Sequence, residues 1–102
     1  MLLAEISMWP MDKGESVGAY VAPLLDIIDR SGLSYRLGPL GTCIEGEYDE
    51  VIAVVRQCFE HLSQQSNRVA CTIKMDWRKG KAGMLEGKVR SVEEKLGRKL
   101  RT

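Results

Sequence analysis

The hydrophobic pattern of this chain switches between a period of two and a period of about 3.6 residues, and the order of the switches leaves few architectures open. Leu2 to Trp9 alternates, with Ala4, Ile6 and Met8 on one face and Glu5, Ser7 and Trp9 on the other. That is the pattern of a half-buried strand, which Pro10 is expected to end. From Ser16, read as an N-cap, to Arg30 the apolar residues Val17, Tyr20, Val21, Leu24, Leu25 and Ile28 fall at helical spacing. Pro23 conflicts with a regular helix there and implies a kink or a later start. Gly32 closes the segment. Leu33–Leu37 and Thr42–Glu47 read as short strands joined by the turn Gly38-Pro39-Leu40-Gly41.

A second helix is expected from Asp49, as its cap, to about Gln65. Its buried side carries Val51, Ile52, Val54, Val55, Cys58, Phe59 and Leu62. Arg68 to Arg78 alternates again, with Val69, Cys71, Ile73, Met75 and Trp77 inward and Ala70, Thr72, Lys74 and Asp76 outward. A last amphipathic helix follows Gly83 and carries Met84, Leu85, Val89, Val92 and Leu96. The order β-α-β-β-α-β plus one helix predicts an α+β fold, the ferredoxin-like split-βαβ sandwich, as one domain over residues 1–102. Two helices cover one face of its antiparallel sheet. The other face is expected to carry Glu5, Ser7, Trp9, Thr72, Lys74 and Asp76, joined by Arg36, Cys43, Glu45 and Glu47. A sheet face that mixes both charges with a tryptophan points to burial against a second copy or a ligand.

Composition bounds the function. The chain has 102 residues, 44% of them hydrophobic and 28% charged, and a net charge of +1, as in ordinary globular domains. Residues 1–77 hold six Lys/Arg against eleven Asp/Glu, a balance of −5, whereas residues 78–102 hold nine against three, a balance of +6. The basic end lacks the interleaved aromatics of a nucleic-acid surface, so no nucleic-acid partner is expected. No apolar run approaches the roughly 18 residues of a membrane span, and no basic leader precedes Glu5, so the expected setting is cytoplasmic. Three cysteines (Cys43, Cys58 and Cys71) without a CxxC or paired histidines fit a reducing compartment and no metal site. His61 is the single histidine and has no Cys or Ser motif beside it. An enzymatic role is therefore not expected.

The most informative segment for function is Pro39–Val51. Glu45 and Glu47 share one strand face, and carboxylates projecting from a sheet suit either a cationic, donor-rich ligand or structural partners such as Arg36 and Lys74. The combination GPLGTCIEGEYDEV, with RVACTIKMDWR and the closing GKVRSVEEKL, resembles the small UPF0045 family of thiamine-binding proteins along nearly the whole chain. That resemblance implies a ferredoxin-like fold, association into dimers or tetramers, and binding of thiamine or its hydroxymethylpyrimidine portion without an assigned reaction.

Thiamine couples a cationic thiazolium to an aminopyrimidine whose edge donates and accepts. Glu5 or Glu45 would neutralise the cation or accept from the amine. Trp9 or Tyr35 would stack on a ring, and Ser7 and Thr42 would bind the pyrimidine edge or the hydroxyethyl group. With Lys74 these form the candidate site, on the sheet face or between subunits. Structural duties compete at each position: Glu5 and Lys74 can pair across the sheet, Thr42 can serve the turn, and Glu47 belongs to the helix start. No cofactor is expected beyond thiamine itself as ligand. With neither a P-loop nor a GxGxxG, unphosphorylated thiamine is expected to bind better than its diphosphate. The competing reading is an oligomeric interaction or regulatory module tuned by a ligand.

Overall fold

A computed structural model describes residues 1–102. Strand β1 (Leu2–Pro10) is followed by α1 (Gly18–Arg30), β2 (Ser34–Leu37), β3 (Thr42–Gly46), α2 (Tyr48–Ser63), β4 (Val69–Trp77) and α3 (Met84–Leu96). The four strands form one antiparallel sheet in the order β2-β3-β1-β4, which is the expected split-βαβ arrangement. Helices α1 and α2 cover the face that carries Leu2, Ala4, Ile6, Met8 and Ile44. With Leu24, Ile28, Val51, Val54, Cys58 and Leu62 these residues close the core. No helix is long and apolar enough to cross a membrane.

Several boundaries move for identifiable reasons. Helix α1 begins at Gly18, with Val17 rather than Ser16 in the N-cap position and no side-chain cap. The later start leaves Pro23 in the second turn. Helix α2 is capped by Glu47, not Asp49; the Glu47 backbone N–H donates to Glu50 Oε1 at 3.0 Å, part of a reciprocal capping arrangement. Asp49 instead sits in the first turn, where a carboxylate still favours the helix dipole. Glu47 consequently leaves the sheet face altogether. Phe59, expected in the core, is 50% exposed on the rim of α2.

Pro10 is the last residue of β1, not a residue beyond it. The Met11 N–H donates to Arg68 O, so the odd-numbered residues of β1 aim their backbone groups at β4. Even-numbered residues aim theirs at β3, because the two directions alternate along a strand. At Pro10 that side has no neighbour, since the β1–β3 pairing stops at Ile6–Thr42. The missing proline N–H costs no ladder bond there.

Strand β4 departs further from expectation. Its alternation is the one read from the sequence: Cys71, Ile73, Met75 and Trp77 pair with Met8, Ile6, Ala4 and Leu2 and so share the helix-side face. The helices cover this edge strand only in part: Val69 and Ile73 pack against the core, whereas Cys71 is exposed, Met75 45% exposed and Trp77 60% exposed.

Candidate functional site

The opposite sheet face carries Glu5, Ser7 and Trp9 from β1, with Cys43 and Glu45, Ser34 and Arg36, and Thr72, Lys74 and Asp76 at the matching registers. One end of it is covered, because α3 folds back over the sheet with Met84 buried beneath its first turn. Gly83, at φ 71°, swings the chain into α3 and offers no side-chain cap. Glu45, 7% exposed, supplies the missing partner: the Met84 backbone N–H donates to Glu45 Oε2 at 2.6 Å. A carboxylate against the positive end of a helix is a favourable pairing, and it commits Glu45 to α3. Asp76 is tied to the same helix by Lys88, with Arg78 at 3.9 Å. The Lys88 hydrogen bond holds the Asp76 carboxyl below its ordinary value.

Glu5 and Lys74 lie directly opposite one another. Glu5 turns its carboxylate to Cys43, whose thiol donates to Glu5 Oε2 at 3.9 Å. Burial, then the Glu5 charge, pushes the Cys43 thiol up. Tyr35 faces the helices, not the open face; its hydroxyl donates to Asp29 Oδ1 at 2.8 Å and ties β2 to α1. That hydrogen bond raises the Tyr35 pKa. His61 contacts Gln65, just past the end of α2, and no three His, Cys, Asp or Glu side chains converge as a metal site.

Six of the seven candidate residues therefore divide between two places, and Tyr35 lies in neither. Glu5, Lys74 and Glu45 belong to the sheet face alone, whereas Ser7 and Trp9, from that same face of β1, also border with Thr42 a cleft of about 390 Å³ at the other end of the sheet. The cleft lies between β1, the first turns of α1 and the β2–β3 hairpin. Its walls include Val21, Leu24 and Leu25 from α1 and Leu37, Pro39 and Leu40 from the hairpin, and no charged side chain lines it. Gly41 lets the hairpin close down on β1, since a Cβ there would sit 3.2 Å from Ile6 O and 3.1 Å from the Glu5 side chain. Thr42, 5% exposed, pairs with Ile6 and Leu37 at the cleft floor. Trp9 at the rim donates its indole N–H to Met11 Sδ at 3.1 Å.

Of the residues lining this cleft, the sequence singles out Ser7, Trp9 and Thr42 and not the apolar wall. Val21, Leu24 and Leu25 read equally well as core residues, and the Pro39-Leu40 turn read as a connection. The one available signal was a hairpin tip carrying leucines where polar residues are the rule.

The thiamine-binding protein family model matches residues 4–93. The UPF0045 protein Mb1933 of Mycobacterium bovis is 36% identical over 96 residues, covering 93% of this chain and 94% of the relative. The UPF0045 protein YqgV of Bacillus subtilis is 34% identical over 102 residues, covering 94% and 98%. Among solved structures, the hypothetical protein MJ1052 of Methanocaldococcus jannaschii superposes with a TM-score of 0.84 at 29% identity, over 91% of this chain and 96% of that one. A Thermotoga maritima protein described as a candidate thiamine biosynthesis/salvage protein gives 0.79 over 89% and 97%. At 23% identity that second likeness concerns the fold.

Proposed function

The chain belongs to the thiamine-binding protein family, and from that premise we propose that it is a non-enzymatic binder of thiamine or its hydroxymethylpyrimidine portion. The ligand occupies the cleft between β1, α1 and the β2–β3 hairpin. The observation that carries this reading is the cleft itself: about 390 Å³, in the size range of small-molecule sites, apolar on its walls and provided with the Thr42 hydroxyl at its floor. The pyrimidine enters; the cationic thiazolium stays at the mouth near Trp9, where an indole face suits a cation.

The working unit is a homo-oligomer, a dimer or tetramer. Strand β4 has one unpaired edge and, beside it, the exposed Met75 and Trp77. Val92 and Leu96 on α3 are about half exposed as well. A radius of gyration of 15.0 Å exceeds the about 13 Å usual for a chain of this length, as suits a protomer whose apolar surfaces are completed by a neighbour. Three unpaired cysteines suit the cytoplasm.

The test is calorimetric titration of ligand-stripped protein with thiamine, repeated on Thr42→Val, which keeps the shape of the side chain and removes its hydroxyl. Saturable binding that weakens in Thr42→Val and persists in Glu45→Gln supports the cleft. Binding lost in Glu45→Gln but intact in Thr42→Val would move the site to the sheet face. No binding of thiamine, its phosphates or hydroxymethylpyrimidine would refute the proposal.

A further inference from the structure

Strand β1 is nine residues long and β3 is five, and the mismatch leaves part of β1 with a neighbour on one side only. Pairing between them runs from Leu2–Gly46 to Ile6–Thr42 and ends, because the chain turns away through Gly38–Gly41. On the other side β1 stays paired with β4 through Pro10–Val69. The direction of each backbone group follows from the bonds flanking that ladder. Arg78 N–H donates to Met1 O, and Met11 N–H donates to Arg68 O. Odd residues of β1 therefore exchange both bonds with β4, and even residues point both N–H and C=O toward β3.

For Ile6 that partner is Thr42. For Met8 the equivalent partner is absent, and for Pro10 there is no N–H to satisfy. Met8 is thus the one interior residue of β1 whose N–H and C=O are both left without a strand partner. It is only 6% exposed, and it lines the cleft. A strand edge left open to a cleft takes its hydrogen-bond partners from whatever occupies the cleft, water or ligand.

We infer that the Met8 backbone edge is the specificity element of the cleft, reading a heterocycle or amide that presents a hydrogen-bond acceptor and a donor side by side. The N–H and C=O of one extended residue lie on the same side of the strand, which is how a neighbouring strand's residue satisfies both. A 4-aminopyrimidine offers the same complement, with its ring nitrogen accepting from Met8 N–H and its exocyclic amine donating to Met8 C=O. The ligand takes the place that a longer β3 would have filled, a one-residue form of strand addition. The inference rests on the proposed use of this cleft and adds the chemistry by which it selects. Rejection of a ligand lacking the donor follows, since such a ligand would cover the Met8 carbonyl without pairing it.

Met8 also packs in the core, so Met8→Ala, which loses the side chain but keeps the N–H, is measured as the control for packing. Met8→Pro removes the N–H that faces the cleft and breaks no bond to β4, and Pro10, two residues on with the same orientation, shows that the strand accepts proline at this parity. Binding of 4-amino-5-hydroxymethyl-2-methylpyrimidine and of its analogue without the 4-amino group is measured on the wild type and both variants by calorimetry. The amide exchange rate of Met8 is followed by NMR in the wild type. The expected result is a preference of about tenfold or more for the amino compound in the wild type, affinity reduced in Met8→Pro below that of Met8→Ala, and slowed exchange of the Met8 amide on ligand addition. Equal binding of the two pyrimidines, with Met8 exchange unchanged by a ligand that does bind, overturns the inference and leaves the cleft reading standing. Absence of binding by either compound and by thiamine overturns both. If Met8→Pro does not fold, the wild-type preference and exchange rate decide the matter alone.

Discussion

Glu45 offers a test in which position, partner and magnitude are all fixed by the structure. Of the thirteen residues of α3, Met84 alone is buried, and it lies outside the main core cluster. The helix is held by that side chain and the half-buried Leu85 and Val89, by the Met84 N–H to Glu45 bond, and by the Lys88–Asp76 pair, which as an exposed ion pair contributes little. Glu45→Gln keeps an acceptor oxygen and loses the charge. The difference between a charge-assisted and a neutral hydrogen bond is about 1 kcal/mol, or roughly fivefold in the opening equilibrium of α3. Glu45→Ala leaves the N–H with no side-chain partner beneath the helix, a loss of about 2 kcal/mol, or roughly thirtyfold.

Because the core closes without α3, the loss is local. The assay is amide exchange resolved by residue: protection of α3 should fall in the order wild type, Gln, Ala, while the β1–β3 ladder amides around Ala4 and Ile44 keep theirs. Uniform loss across the sheet, or α3 protection unchanged in Glu45→Ala, would refute the reasoning that this carboxylate is the anchor of the helix.

Other consequences follow from the titrating groups and the uncovered surfaces. Burial pushes the Cys58 thiol up to about 11; a raised folded pKa stabilises below the unfolded value and is lost as pH rises through the folded one, so stability to urea should decline between pH 9 and 11, and Cys58→Ser should remove that part of the decline. Thiol-reagent labelling at neutral pH should modify exposed Cys71 before half-buried Cys43 and leave Cys58 for the unfolded chain. Asp12, lowered chiefly by the Ser66 hydroxyl and then the Asn67 N–H, stabilises above its unfolded pKa, and this contribution should disappear as pH falls through the folded value; Asp12→Asn should flatten the acid limb of the urea-stability profile. Met75→Lys, on the exposed helix-side face of β4, should shift the oligomer toward monomer in light-scattering mass measurements without changing the far-UV circular dichroism.

Local rules made most of the fold legible. Alternation in Leu2–Trp9 and Val69–Trp77 assigns the right residues to the right faces, and helical spacing finds all three helices. What local rules do not contain is lateral extent. Nothing in the period of Cys71, Met75 and Trp77 says whether a helix reaches far enough to cover them, and an inward orientation is not burial. The same limit applies to Glu45. Its neighbours in sequence announce a strand, but its partner is a backbone N–H at Met84, 39 residues away, supplied by a helix whose own cap position is a glycine. Helix α2 shows the opposite case, where Glu47 and Glu50 sit within one turn and the cap lies only two residues from the expected Asp49.

The location of the cleft follows from a mismatch in lengths rather than from any motif. A β3 long enough to pair with all of β1 would satisfy Met8, extend the ladder to Pro10 and fill the space between α1 and the sheet. The turn Gly38–Gly41 prevents this. Gly38 N–H donates to Gly41 O at 2.8 Å, and a Cβ on Gly38 would fall 2.8 Å from that same oxygen, so the tight turn requires glycine there. Gly41 is needed one step later, where the hairpin crosses Ile6 O. These two glycines set where β3 begins, and where β3 begins decides which backbone groups of β1 are left free. Inserting two residues into the turn would lengthen the hairpin toward Met8. If the free edge is what selects the ligand, that insertion should abolish pyrimidine binding while raising, not lowering, the protection of the Met8 amide. Binding kept while the Met8 amide becomes protected would mean that the cleft owes its selectivity to its walls.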